Sequence, residues 1–454
     1  MEESLKNEIL NDIKNINSFN VPTILNKRKE RLKTLVKYAK ENSEYFKNLY
    51  KDIDVENFEL SDLPIIEKPT MMEHYNQWVC DKNITKNEVE HYVADIELML
   101  KPFKEKYKAI TTSGTTGTPL LMVRDEMHEF IHGALLANRL FKDINASIMN
   151  PQINKIAAII AAEQSTSSYA SFLKMKKVNE KYADNMLLLS TLSPISEMVE
   201  KLNAFQPVFI GGYPSVLALL ANEQIKGNLK MHPQAITCSA ELLTEKVIET
   251  MKEAWGKELI ILNNYCTTEG GEIAMSCSEN KLHVNFDWVI LEPVDENDNP
   301  VKDGETSNSV LVTDLSNFVQ PIIRYRLNDR IKIINEKCKC GSILPTIEVK
   351  GRVSDTIKIN SIEIPSIVLF LALEHLPRIL SYQYAKVSKT KVVLRVVYAP
   401  DTDKKEFNKQ ITAKINDIKR KYNCEEMEFE ISEERPKNNK KGGKLKLITN
   451  EYDK

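Results

Sequence analysis

The sequence predicts a large N-terminal layered α/β domain followed by a smaller C-terminal α+β domain, and three observations lead there. The chain has 454 residues, far more than a single small core requires, so two or more domains are expected. From about residue 105, apolar β-type runs alternate with helical stretches, the pattern of a layered α/β domain with largely parallel strands. Beyond about residue 350 the texture changes to strand, amphipathic helix, strand, which divides the chain into units 1–350 and 351–454.

Residues 28–47 place Leu32, Leu35, Val36 and Ala39 at helical spacing among lysines and glutamates, which reads as an amphipathic surface helix. AAIIAAE (157–163), QPVFIGG (206–212) and ELIILNN (258–264) are short apolar runs and read as buried strands. SVLALLANEQI (215–225) and LLTEKVIETMKEAW (242–255) read as the helices between them. In the second unit, TKVVLRVVYAP (390–400) is a strand, ITAKINDIKRKY (411–422) a helix and MEFEIS (427–432) a strand. The polar, basic tail that follows reads as a mobile loop before a short final strand.

Composition removes several classes of function. Sixty-two basic residues face 64 acidic ones, a net charge of -2, so the chain does not hold nucleic acid by bulk charge. With 42% hydrophobic and 28% charged residues it is neither disordered nor fibrous. The N-terminus MEESLKNEILNDIKN lacks the apolar core of a signal peptide. The longest apolar runs, IAAIIAA and IVLFLAL, fall short of the roughly 20 residues a membrane span needs, so no membrane partner is expected. Seven unevenly spaced cysteines make a poor disulfide framework and point to a reducing cytoplasm, with metal or chemistry as their use. Glycine is scarce, 14 in the chain, and ten of the 14 fall in or beside the segments singled out below.

Thr112, Ser113, Gly114, Thr115, Thr116, Gly117 and Thr118 follow a β-type start and precede Pro119. Their amides and hydroxyls can all face an anion, and phosphate is the natural guest. The loop is not a Walker A sequence, because no Lys-Ser/Thr follows the second glycine. A plain Ser/Thr/Gly surface turn is the alternative these residues leave open.

The whole string AITTSGTTGTPLLM (109–122) resembles the phosphate loop of the adenylate-forming superfamily, of the acyl-CoA synthetase type. That superfamily's later motifs appear in order. NNYCTTEGG (263–271) resembles its Tyr-Gly-x-Thr-Glu motif. The resemblance implies that Tyr265 lies near adenine, Thr268 contacts the α-phosphate and Glu269 helps hold Mg²⁺, a cation that suits one or two carboxylates beside phosphate oxygens. TDLSNFVQPIIRYRLNDRI (313–331) resembles the segment whose Asp, here Asp329, binds the ribose hydroxyls. VKGRVSDTIKINSIEIPS (349–366) resembles the hinge between the two domains, near 351–356, with Arg352 expected near ribose or phosphate. KGGKLK (441–446) resembles the motif whose lysine, here Lys444, stabilises charge on the transferred phosphoryl centre. Read alone, Lys444 also fits solvated charge in a basic tail.

Within the superfamily the likeness is to the phenylacetate–CoA ligase group and runs over nearly the whole chain. LKTLVKYAKENSEYFKNLY, DLPIIEKPTM, GGYPSVL (211–217), ITCSAELLTE (236–245) and PIIRY (321–325) follow that group's pattern. The resemblance implies an acid pocket with Tyr213, the segment Glu163–Tyr169, Ser239, Ala240 and Cys266, and a nucleotide contact from Glu241. It implies a small C-terminal domain that swings about the hinge. Relatives of this group are often dimers, which leaves a homodimer open.

Cys277 and His283 are separated by five residues in CSENKLH, and Cys338 and Cys340 flank one lysine in CKCG. Three thiolates and an imidazole complete a tetrahedral shell suited to structural zinc, although the spacings alone also fit four unrelated residues. Phenylacetate–CoA ligase-like proteins show a similar Cys…Leu-His and Cys-x-Cys-Gly, so the resemblance implies zinc with no position left for water.

The sequence departs from the family at Cys266 and Ser361, where relatives carry glycine, and at Ser354, where they carry the first hinge Asp, leaving Asp355 beside it. A serine at 361 would narrow the pantetheine tunnel. The expected activity is ATP- and Mg²⁺-dependent activation of a small carboxylic acid, aromatic by resemblance, as acyl-AMP, followed by transfer to coenzyme A. Delivery to a carrier-protein phosphopantetheine or an amine is the alternative among enzymes. A catalytically inactive zinc-bearing binding protein is the alternative of another class.

Overall fold

The computed structural model describes residues 2–111, 119–142, 144–145, 147–160, 167–191, 193–352, 356–365, 369, 373, 376, 379–398, 402–437 and 448–452. Its centre is a nine-stranded sheet. Across it run Asp329–Ile334, Thr346–Arg352, Leu282–Val284, Gly271–Ser276, Ile260–Thr267, Ala235–Ser239, Phe209–Gly212, Ile156–Ile160 and Met186–Ser190. The last five are mutually parallel. From Gly271–Ser276 outward every pairing is antiparallel. The expected largely parallel sheet is therefore only half of the sheet. Parallel neighbours need a crossover helix, and among the described residues no helix lies between Trp255 and Arg352, where the later strands of this sheet run; Ile260–Thr267, Gly271–Ser276 and Leu282–Val284 follow one another through short turns, which permit only antiparallel pairing.

Burial alternates along the parallel strands as a two-residue period demands. Ile156 and Ile160 enter a core with Phe209, Ala235 and Leu262. Ala157 and Ile159 enter a second core with Ile210, Ile236 and Ile261 and with Leu217, Leu220, Val247 and Met251 of the crossover helices. The sheet is thus covered on both faces, and Pro214–Ile225 and Glu245–Trp255 are the expected helices. The N-terminal helix is divided into Val21–Asn42 and Glu44–Leu49, because Ser43 leaves the helical conformation and caps the second piece through Phe46 N.

Two smaller units bear on the site. Lys108–Thr111 pairs antiparallel with Leu121–Arg124 as a separate hairpin. Val289–Val294, Ser309–Asp314 and Ile322–Leu327 form a three-stranded antiparallel sheet.

A separate core contains only residues between Ile357 and Ile448. It packs Lys404–Lys421 through Ile411, Ile415 and Ile418 on a four-stranded sheet of Ile379–Lys386, Lys391–Tyr398, Glu428–Ser432 and Ile448–Asn450. That helix begins seven residues before the apolar stripe suggests, because Asp403 accepts from Glu406 N as its N-cap. Among the described residues, no helix is long and apolar enough to cross a membrane.

Candidate active site

The parallel half of the sheet delivers the expected residues to one edge. Open α/β sheets bind ligands beyond the carboxyl ends of their strands. Tyr213 follows Phe209–Gly212, Ala240 and Glu241 follow Ala235–Ser239, and Cys266 to Glu269 end Ile260–Thr267. The three strands are adjacent, with Gly212 opposite Cys238 and Ser239 opposite Asn264. Ala240 holds the left-handed conformation at φ 67°, which costs a non-glycine residue about 1–2 kcal/mol. The bend turns the chain so that Glu241 Oε2 accepts from Ser215 N at 3.0 Å. That amide lies in the first turn of Pro214–Ile225, for which Tyr213 is the N-cap, where a carboxylate also meets the positive end of the helix dipole.

On the other flank, the Tyr265 hydroxyl donates to Asp329 Oδ2 at 2.8 Å. The two residues are 64 apart in the chain and both are largely buried. Asp329 is the ladder partner of Arg352, so two segments expected at the ribose meet at one strand end. Glu269 accepts a hydrogen bond from Tyr325; burial and then this carboxylate push the Tyr325 phenol well above its ordinary value. The Thr268 carbonyl accepts from Arg124 Nη2 at 3.1 Å. Burial, and after it the charge of Glu272, push the Cys266 thiol well above the ordinary range, so it acts as a small hydrophobe rather than a nucleophile.

Thr112, Ser113, Gly114, Thr115, Thr116, Gly117, Thr118 and Lys444 lie outside the described residues, as do Ser354 and Asp355. The stems of the 112–118 loop are described, and the Leu121–Arg124 stem is gripped by residues that sequence reasoning missed. Gln320 Oε1 accepts from Val123 N at 2.6 Å, and Gln320 Nε2 donates to Leu121 O at 3.1 Å. Asn317 Nδ2 donates to Val123 O at 2.9 Å. Both side chains are fully buried. Ser361 sits in the two-residue turn between Thr356–Ile359 and Ile362–Pro365, where its neighbour Asn360 takes the positive φ of 54°.

The sulfur-rich group assembles. Cys277 Sγ lies 3.6 Å from Cys338 Sγ, and Cys340 Sγ lies 3.3 Å from His283 Nε2. All four ligand atoms fall within 4.8 Å of one another. A zinc tetrahedron with roughly 2.3 Å Zn–S and 2.0–2.1 Å Zn–N bonds would set its ligand atoms about 3.5–3.8 Å apart. His283 Nδ1 donates to Leu344 O at 2.7 Å, which leaves the Nε2 lone pair toward the thiols and supplies the outer-shell partner that ligating imidazoles have. Pairing of Thr346 with His283 brings the loop carrying Cys338 and Cys340 to the turn carrying Cys277. None of the seven cysteines is in a disulfide. The donor set therefore fits zinc.

A second titratable group, His128, His132 and Asp314 with Ser316, lies buried behind the 268–272 turn. The one sequence signal for it was a pair of histidines four apart on a helix, hence on one face. Nothing local tied them to Asp314.

No family model matches the chain. A curated relative, Protein CapK of Staphylococcus aureus, is 21% identical over 315 residues, which are 68% of this chain and 62% of that protein. The match thus spans less than two thirds of the relative's length. Among solved structures, 2-hydroxyisobutyryl-CoA ligase in the postadenylation state with 2-HIB-AMP superimposes with a TM-score of 0.66 and 15% identity, covering 94% of this chain and 89% of that one. Fatty acyl-adenylate ligases from E. coli and L. pneumophila give a TM-score of 0.52 and 12% identity, over 75% of this chain and 68% of the other. Anthranilate CoA ligase AuaEII in complex with anthranoyl-AMP gives 0.50 and 16%, over 74% and 64%. The chain shares the fold of these acyl-CoA and acyl-adenylate ligases.

Proposed function

We propose that the chain activates a small carboxylic acid with ATP, forming an acyl-adenylate, and passes the acyl group to coenzyme A. A carboxylate oxygen attacks the α-phosphorus, the new O–P bond forms, and the bond to pyrophosphate breaks. The observation that carries this reading is the convergence at one sheet edge of Tyr213, Ser239 to Glu241 and Cys266 to Glu269, with Tyr265 hydrogen-bonded to Asp329. The roles are those that the family resemblance implies. Tyr265 and Asp329 would take adenine and ribose, and Thr268 the α-phosphate. Tyr213, Ser239, Ala240 and Cys266 would line the acid pocket, and Glu241, Arg352 and the loop Thr112–Thr118 would hold the nucleotide. Glu269 would hold Mg²⁺, which neutralises phosphate charge when bound. Lys444 would stabilise charge on the phosphoryl centre, so the protein contributes positioning and electrostatics.

The aromatic character of the acid rests on the likeness to the phenylacetate–CoA ligase group. Residues 1–350 would form the adenylation domain and 351–454 the lid, hinged near 351–356; a core drawn only from residues 357 to 448 supports this division. The Cys277, His283, Cys338 and Cys340 group would hold a structural zinc that ties two hairpins together.

The test is acid-dependent ATP–pyrophosphate exchange over a panel of aliphatic and aromatic acids, followed by thioester detection with and without coenzyme A. Exchange with an aromatic acid and a CoA-dependent thioester is the expected result. Exchange without a CoA thioester would move the acceptor to a carrier protein or an amine, and no exchange with any acid would overturn the reading.

A further inference from the structure

The turn that carries Thr268 and Glu269 is held from behind at both ends by side chains outside the motif. At its start, Arg124 Nη2 donates to the carbonyls of Thr267 at 3.4 Å and Thr268 at 3.1 Å. At its end, Glu272 N donates to His132 Nδ1 at 2.8 Å. A backbone amide can only donate, so Nδ1 is bare and the His132 proton sits on Nε2. That Nε2 is 3.0 Å from Ser316 Oγ. Ser316 Oγ in turn donates to Asp314 Oδ1 at 2.5 Å. Asp314 Oδ2 faces His128 Nδ1 at 3.0 Å, and the two imidazoles lie with ring centres 4.0 Å apart. One fully buried carboxylate thus orients the hydroxyl and, through it, the imidazole that grips the turn.

Two further facts fit this purpose. Gly271 has φ +59°, and a Cβ there would lie 2.3 Å from His132 Cε1, so the imidazole rests directly on the turn's backbone. His128, His132 and Asp314 lie close enough to cage an ion, but Ser316 Oγ stands 2.9 Å from His128 Nδ1 and 3.0 Å from His132 Nε2, in the space an ion would take. The amide of Glu272 also fixes the tautomer that leaves a proton, not a lone pair, on His132 Nε2. The trio is a hydrogen-bond relay.

We propose that His132, oriented by Ser316 and Asp314, is a positioning residue that fixes the Thr268–Glu272 turn and so sets where the Thr268 hydroxyl and Glu269 carboxylate stand. This rests on the adenylation reading above. His132 acts on the backbone amide of Glu272. Losing it should therefore lower kcat for adenylation more than it raises KM for the acid, because Tyr213, Ser239 and Ala240 of that pocket stand on neighbouring strands and only Cys266 adjoins the turn.

The experiment compares His132→Leu, His132→Asn and His132→Gln in the full chain. Asparagine can place an oxygen where Nδ1 accepts from Glu272, whereas glutamine places its amide on the Nε2 side and leaves that donor unpaired. Pyrophosphate exchange is measured with the best acid, and hydrogen exchange is read on peptides spanning 264–277. Leucine and glutamine should lower kcat roughly 10- to 100-fold, as loss of alignment does, with acid KM within about threefold and faster hydrogen exchange at 267–272. Asparagine should recover most of both. If the leucine variant does not fold, asparagine against glutamine carries the comparison. Wild-type kcat in the glutamine variant, or equal impairment of asparagine and glutamine, would overturn the proposal. Wild-type protein that exchanges pyrophosphate with no acid would fail the adenylation reading instead, while hydrogen exchange at 267–272 still decides whether His132 holds the turn.

Discussion

Replacing Gly271 with alanine should cost far more than an ordinary surface glycine change, and the cost can be built from its parts. Holding alanine at the φ of +59° found there costs about 1–2 kcal/mol. The new Cβ would also stand 2.3, 2.6 and 2.8 Å from Cε1, Nδ1 and Nε2 of His132. The ring cannot retreat without breaking its bonds to Glu272 N and Ser316, and a buried amide left unpaired costs about 1–3 kcal/mol. Together these give a destabilisation of roughly 2–5 kcal/mol. In a His132→Ala background the obstruction is gone and only the conformational cost of about 1–2 kcal/mol remains. The two changes should therefore be coupled by about 2 kcal/mol. Gly270→Ala is the control. The nearest atoms to a Cβ at Gly270 are side-chain atoms of Val312 and Ile273 at 3.0–3.1 Å, without a positive φ, and the change should cost about 1 kcal/mol. Urea unfolding followed by tryptophan fluorescence reads these values, because all three tryptophans, Trp78, Trp255 and Trp288, precede residue 350. Additivity of Gly271→Ala and His132→Ala within about 0.5 kcal/mol would refute the claim that the imidazole bears on the turn.

Three other outcomes are expected. Burial, then the neighbouring His132 and Arg124, depress the His128 imidazole to about 3 from its ordinary 6.5. Its stabilising effect is therefore complete above pH 6.5 and is lost as pH falls toward 3, about 2–3 kcal/mol by pH 4.5. His128→Asn, which keeps a donor for Asp314, should flatten the fall in urea midpoint between pH 7 and 4.5, and an unchanged slope counts against it. Purified chain should carry about one zinc by atomic emission, lost together with several degrees of melting temperature in Cys338→Ser; full metal content in that variant would dissolve the site. Lys444→Ala should lower the adenylation rate by about 100-fold with ATP binding retained in equilibrium dialysis, and an unchanged rate would make that lysine solvated tail charge.

Much of this was legible locally. Apolar runs at 206–212 and 258–264 with helices between them read as strands in series, which carries Tyr213 and Cys266 to strand ends; the strand Ala235–Ser239 between them was not read from periodicity, and Ser239 was marked only by the family resemblance. The four zinc candidates were legible as residue types, but their spacings do not state that Thr346 pairs with His283, the contact that assembles them. The antiparallel half of the sheet was not legible, because periodicity of two describes a strand without its direction. The relay behind the turn was hidden for a different reason. His128 and Asp314 are 186 residues apart, and each reads as an unremarkable polar side chain until the fold buries both. Gln320 and Asn317 are the same case, with no local pattern to mark an amide that replaces a strand.

Those two amides have a mechanical consequence. Gln320 accepts from Val123 N and donates to Leu121 O, and Asn317 donates to Val123 O. Between them two side chains perform the work of a third strand. The 108–124 hairpin is thereby locked in register to the segment that continues into Pro321, Tyr325 and Asp329. The Leu121 end of the 112–118 loop is thus tied through buried hydrogen bonds to the segment that leads on to Asp329, the partner of Tyr265, so the loop and the tyrosine hang from one frame.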